Sequence, residues 1–118
     1  MNRKSVKSRV RVHIRRSESY SLILSGIKSA EVRLLKGIIC GIKVGDMVYM
    51  IHHDKKICIE ILEIKVFSSL KEMLENILIR NMALPGIEDS KCERYYEQFY
   101  GKEQIERNKV VALVFKIH

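Results

Sequence analysis

The sequence predicts an α+β domain, a small mixed β-barrel of five or six short strands with flanking helices. Alternation of apolar and polar residues marks strands near both ends and in the middle of the chain. Capping and turn residues bracket helical stretches between them. The resulting order, β-α-β-β-β-α-α-β, does not alternate strand and helix as a doubly wound parallel sheet requires. With 118 residues, 47% of them apolar, and one proline, the chain can bury one core but not two. Residues 1–8 are set apart as a flexible basic arm, and residues 9–118 form the domain.

In residues 9–15, Val10, Val12 and Ile14 alternate with Arg9, Arg11, His13 and Arg15, which predicts a first strand. Ser17 suits a helix N-cap and Glu18 the first turn; Tyr20, Leu22, Ile23 and Leu24 supply apolar contacts before Gly26 ends the helix. A second strand over 29–35 carries Ala30, Val32 and Leu34 on one face, Glu31 and Arg33 on the other. Glycines 37, 41 and 45 punctuate a loop that closes in Lys43-Val44-Gly45-Asp46 and leads into a third strand at 47–51. His53-Asp54-Lys55 reads as a hairpin turn into a long fourth strand, 56–67. Apolar residues occupy both of its faces, which predicts a central strand covered on both sides. Ser69-x-x-Glu72 is a capping box opening a helix through Met73, Leu74, Ile77 and Leu78, broken at Leu84-Pro85-Gly86. Another helix spans about 88–100 and stops at Gly101. After a polar helical or looped stretch, Val110-Val111-Ala112-Leu113-Val114-Phe115 is a closing, buried strand.

Charge is unevenly placed. Of 22 lysines and arginines, seven lie in residues 1–16, which contain no acid; the rest of the chain holds 15 cations against 14 acids. A basic arm on a nearly neutral domain is the electrostatic footprint of a polyanion binder. Such an arm also suits an import signal or a solubilising segment. The strand alternation of residues 9–15, however, ties it to the fold and not to the amphipathic helix of a transit peptide. No apolar run approaches the roughly 18–20 residues that span a bilayer, and no signal-peptide core follows the basic start, so no membrane partner is expected. Cys40, Cys58 and Cys92 are widely spaced without a CxxC, which points to reduced thiols in an intracellular protein, cytoplasmic or nuclear.

The most informative stretch is Gly26-Ile27-Lys28-Ser29-Ala30-Glu31-Val32-Arg33. On a strand, Glu31 and Arg33 point the same way, about 7 Å apart, and Lys28 stands at the mouth of that charged face. Two cations around one carboxylate are what a pocket for a phosphate, a base edge or an acyl group needs. The same pattern fits a solvated strand face with an ordinary ion pair.

These residues, with Ile42-Lys43-Val44-Gly45-Asp46-Met47-Val48, resemble the ASCH domain family of the PUA-like superfamily. The hallmark of that family is Gly-x-Lys-x-x-Glu-x-Arg followed by a Lys-x-Gly-Asp turn. Phe67-Ser68-Ser69-Leu70, Leu84-Pro85-Gly86 and Tyr95-Tyr96-x-x-Phe99-Tyr100 extend the resemblance over about residues 9–117. It implies a pseudo-barrel with a cleft between barrel and helices, in which RNA or modified nucleotides bind. One bacterial branch is an amidohydrolase that removes the acetyl group from N4-acetylcytidine, using the motif lysine, a threonine three residues later and a distant glutamate. That branch implies catalytic roles for Lys28, as base, and for Glu31, which stands where the threonine would. A carboxylate and a hydroxyl do different work, and a carboxylate beside an amine favours the ammonium. The pair therefore suits holding a ligand better than abstracting a proton.

His52 and His53 are adjacent at a strand end, so their side chains are expected on opposite faces, a poor geometry for a shared metal. Tyr95, Tyr96, Phe99 and Tyr100 recur at helical spacing, which most often marks core. Tyr96 and Tyr100, with hydroxyls that tolerate a wet rim, are the candidates to stack on a base, and Tyr49 is a weaker one. No Walker loop, nucleophile elbow or dinucleotide fingerprint is present. The expected function is RNA binding, single-stranded or structured, without cofactor or metal. Arg9, Arg11, Arg15, Arg16 and Lys43 would serve phosphates. Lys28, Glu31, Arg33, Tyr96 and Tyr100 would read a nucleotide. The alternatives are an amidohydrolase of acylated nucleosides and a module of a ribonucleoprotein in which the cleft is idle.

Overall fold

The structure, a computed structural model, describes residues 10–118; the arm at 1–8 and Arg9 lie outside the described residues. Five strands and five helices follow in the order β1 (Val10–His13), α1 (Ser17–Leu24), β2 (Ala30–Leu34), β3 (Met47–His52), β4 (Lys55–Phe67), α2 (Leu70–Glu75), α3 (Ile77–Ala83), α4 (Cys92–Tyr100), α5 (Lys102–Arg107) and β5 (Val110–Ile117). Short 3-10 turns at Gly37–Gly41 and Asp89–Lys91 precede β3 and α4. The strands form one sheet in the order β1-β3-β4-β5-β2, antiparallel except for the parallel β1–β3 pair. The sheet curls into a half-barrel, and its two edge strands meet through a side chain: Arg33 Nη2 on β2 donates to the His13 carbonyl on β1 at 2.6 Å.

Two cores lie on either side of the sheet. Inside the barrel, Val12, Val48, Met50, Ile59 and Leu113 pack against Tyr20 and Ile23 of α1, which plugs the interior. Outside it, Ala30, Val32, Val110 and Ala112 are covered by α2–α5 through residues such as Met73, Ile79 and Tyr96. The strand buried on both faces is β5, whose first six residues are all buried. That is the signature of a continuous apolar run. It was expected of β4, which is central in the sheet but not covered throughout, since Leu62 and Val66 are 44% and 52% exposed. The physical reason is a β-bulge between Ile61 and Glu63. The bulge inserts one residue and exchanges the faces of the strand, so that Ile57, Ile59 and Ile61 share the inner side with Ile64 rather than with Lys65.

Three local expectations shift. The N-cap of α1 is Arg16 in extended conformation, with no side-chain cap, so Ser17 is the first helical residue and not the cap. The guanidinium of Arg16 instead pairs with Glu18 at 2.6 Å. The capping box at Ser69 forms, with Ser69 Oγ accepting from the Glu72 amide and Glu72 Oε1 from the Ser68 amide. The helix it opens ends at Glu75, however, because Asn76 is extended and caps a second helix by accepting from the Ile79 amide. Ile77 and Leu78 are consequently 59% and 73% exposed rather than core. Finally, His53 takes a left-handed φ of 55° in the hairpin turn. This brings its ring to 4.3 Å from that of His52 instead of onto the opposite face. Among the described residues, no helix is long and apolar enough to cross a membrane.

Candidate functional site

The turn after α1 sets the position of Lys28. Gly26, at φ 82°, leaves the helix in the left-handed region. The Leu22 carbonyl then accepts from both the Ile27 and Lys28 amides, at 2.9 and 3.0 Å, and Ser29 donates to Met82 of α3. Lys28 is thereby directed under the domain and not to the mouth of the charged face, as expected. It is only 4% exposed, and its Nζ donates to the Ala83 carbonyl at 2.6 Å. Strand alternation puts Glu31 and Arg33 on the same side, and Glu31 bridges the two cations. Its Oε1 lies 3.3 Å from Lys28 Nζ and its Oε2 accepts from Arg33 Nε at 2.7 Å.

Burial alone would raise the Glu31 carboxyl, but the ammonium of Lys28 and the guanidinium of Arg33 outweigh it and hold the carboxyl below its ordinary value. Burial likewise works against the Arg33 cation, and Glu31 more than restores it. A carboxylate offers about four acceptor sites, so Glu31 retains capacity for a further donor beyond these two partners.

This array is the floor of a cleft between the barrel seam and α4. The cleft is small, about 40 Å³, and its walls are formed by Arg15, Arg16 and Ser19 on one side and Tyr95, Tyr96, Phe99 and Tyr100 on the other. Arg15 lies 5.5 Å over the Phe99 ring and Arg16 5.8 Å over that of Tyr95. Tyr95 and Phe99 meet edge to face, and the Tyr95 hydroxyl lies 3.1 Å from Ser19 Oγ. The Tyr96 hydroxyl is buried and has no hydrogen-bond partner among the described residues. Burial first, then the nearby Glu31 carboxylate, push this phenol well above its ordinary value, so it stays protonated and able to donate. Tyr100 is also raised, by burial, with Arg33 opposing and Glu31 assisting.

The fold thus assembles Lys28, Glu31, Arg33, Tyr96, Tyr100, Arg15 and Arg16 at one place. It does not bring Arg11, Lys43 or Tyr49 there. Arg11 is exposed on β1 opposite Tyr49 of β3. Lys43 is exposed in the turn before β3, where its amide donates to Asp46. Tyr49 carries Lys56 Nζ 4.6 Å above its ring. Alternation around the parallel β1–β3 pair places Arg11 and Tyr49 away from the inner core that Val12 and Met50 enter. Ser19 is the residue that sequence reasoning missed, since nothing local marks a serine whose partner lies 76 positions away. Phe99 and Tyr95 belong to the aromatic stripe, but helical spacing alone cannot assign them to the cleft.

No family model matches the chain, and no curated protein does. Solved structures do. The chain is similar to the hypothetical protein PH0355, at 30% identity over 94% of this chain and 100% of that one, with a TM-score of 0.81. It is similar to protein PF0455 from Pyrococcus furiosus, at 27% identity over 93% and 97%, with a TM-score of 0.72. Protein EF3133 from Enterococcus faecalis V583, of the DUF984 family, shares the fold alone, at 11% identity, 85% and 69% coverage and a TM-score of 0.62. Matched at 30% identity over 94% of its length and the whole of PH0355, the chain belongs to the same family as PH0355.

Proposed function

We propose that this protein is an RNA-binding domain of the ASCH type, in which the cleft receives one nucleotide and the basic N-terminal arm neutralises neighbouring phosphates. The observation that carries this reading is the Tyr96 hydroxyl. It is a buried donor without a partner among the described residues, on the wall of a cleft whose floor is a Lys–Glu–Arg array. Leaving a buried hydroxyl unpaired costs about 1–3 kcal/mol, and a ligand oxygen or ring nitrogen reaching it would remove that cost. Glu31 would accept from an exocyclic amino group, Arg15 and Arg16 would meet the sugar-phosphate, and the exposed edges of Tyr95 and Tyr100 would contact the base. Lys28 supports a binding role better than that of a hydrolytic base. A base needs a free lone pair on nitrogen, whereas this nitrogen donates to the Ala83 carbonyl and faces a carboxylate.

The test is Tyr96→Phe, assayed by fluorescence anisotropy on a short single-stranded RNA and by urea unfolding. The phenylalanine keeps the packing and removes only the orphan hydroxyl. Stability is expected to hold or rise by about 1 kcal/mol, while affinity falls roughly 5- to 10-fold, the value of one hydrogen bond of about 1–1.5 kcal/mol. Unchanged affinity would withdraw the cleft from RNA recognition. Turnover of N4-acetylcytidine by the wild-type protein would move the assignment to the hydrolase.

A further inference from the structure

Two further compartments adjoin the cleft on its Tyr95 side. Arg16, Ser19, Lys28 and Tyr95 line the cleft and also line a second chamber of about 140 Å³, bounded on its far side by Leu22, the Ala83–Pro85 turn and Ile87. Lys28 is the common floor. The Ser19–Tyr95 hydrogen bond, at 3.1 Å, spans the two chambers as a low bridge between α1 and α4. Beyond Tyr95 and Ile87 the second chamber opens into a wider groove along α4, lined by Lys91, Arg94 and Gln98. Tyr95 therefore borders all three compartments.

The charge of this groove is one-sided. At 100° per residue, positions 91, 94, 95, 98 and 99 of α4 and its lead-in fall within one arc that contains no acid, and Glu93 and Glu97 fall outside it. Arg94 is exposed and makes no ion pair or hydrogen bond with the described residues. Lys91 has Glu88 at 3.9 Å, both about 70% exposed, a pair too wet to hold the ammonium. Asp89 is engaged by Arg80 at 3.2 Å. The acids inside the track are Glu31, held between Lys28 and Arg33, and Glu18, which Arg16 covers at 2.6 Å.

Building on the RNA-binding reading above, we infer that the ligand is a single-stranded polynucleotide of at least three consecutive residues, threaded from the cleft over the Ser19–Tyr95 bridge and along α4. A free nucleotide engages the cleft and leaves the other two compartments, with their cations, unused. A duplex hides the base faces that Tyr95 and the cleft walls would meet. A single strand presents a base to each compartment and phosphates to Arg94 and Lys91 in turn.

The experiment is anisotropy titration of fluorescent oligoribonucleotides of one, two, four and six residues, on the full chain and on Arg94→Glu and Lys91→Glu. Both side chains are exposed, and circular dichroism checks that each variant keeps its fold. Wild-type affinity is expected to climb with length up to about four residues. Each variant should weaken tetranucleotide binding about fivefold at ~0.1 M salt and flatten the log–log salt slope by about 0.7, the signature of one lost single-strand phosphate contact. A tetranucleotide that binds no more tightly than a mononucleotide, or variants with the wild-type length dependence, would overturn the track and leave the one-nucleotide cleft standing. No binding at any length would remove both.

Discussion

Glu31 holds two cations at a place from which water is largely excluded, and the balance at that residue decides whether the site is rigid. Desolvation opposes all three charges, yet the Glu31 carboxyl ends below its ordinary value and the Arg33 guanidinium above its own. The attraction therefore outweighs the burial penalty. In the unfolded chain a glutamate titrates near pH ~4.3. With the folded value depressed, the stabilisation is fully present above that pH and is lost as pH falls through the folded value. Glu31→Gln keeps the shape and removes the charge, leaving Lys28 and Arg33 buried without a counter-ion. It should cost about 3–5 kcal/mol at pH 7, and the gap from wild type should narrow as pH falls below about 4.3, where the unfolded chain takes up the proton first, and close as the folded carboxyl follows. Urea midpoints at neutral and acidic pH measure this directly. The same loss at both would mean that the shape of Glu31 matters and its charge does not.

At the scale of elements, the break between α2 and α3 places Ala83, whose carbonyl positions Lys28, so the caps act on the site through the backbone. Ser69→Ala and Asn76→Ala each remove a side chain that accepts from a helix amide. Each should cost about 1 kcal/mol in chemical denaturation. Asn76→Ala should also weaken ligand binding, because α3 carries the Ala83 carbonyl that orients Lys28; Ser69→Ala, one helix further away, should not. Equal effects of the two on binding would disconnect α3 from the site. The Ser69 cap was legible because serine and glutamate three apart carry a local mechanism. The Asn76 break was not, because Met73, Leu74, Ile77 and Leu78 continue the helical period straight through it, and only the tertiary path of the chain leaves two of the four in solvent. The β4 bulge escaped for a related reason. Nothing in an alternating run says where one residue is skipped, and the face assignments after Leu62 invert when it is. Lys28, Glu31 and Arg33 were legible as neighbours because strand alternation is local. The depth of Lys28 was not, because it depends on Ala83, 55 residues away.

For the molecule as a whole, the half-barrel is joined at its seam by the same guanidinium that forms the floor of the cleft, since Arg33 reaches both Glu31 and the His13 carbonyl. Fold and site are thus coupled at Arg33 and separable at Tyr96, which is why the latter is the cleaner probe. Residues 1–8 carry Arg3, Lys4 and Lys7, three of the 22 cations, and residues 17–118 are nearly balanced, so most of the long-range field on a polyanion comes from the N-terminal sixteen. On the proposed reading those charges would neutralise phosphates and would not read sequence. Deleting residues 1–8 should therefore weaken RNA binding by the same factor for every sequence tested. The slope of log K against log salt should fall by about 2, at roughly 0.7 for each of three single-strand phosphate contacts. Preference among sequences, which belongs to the cleft, should not change. Anisotropy titrations of both chains on two unrelated RNAs at three salt concentrations test this. A truncated chain that binds as tightly as the full one would assign the affinity to Arg15, Arg16 and the cleft alone. A truncated chain that changes its sequence preference would place the arm inside the recognition site and not beside it.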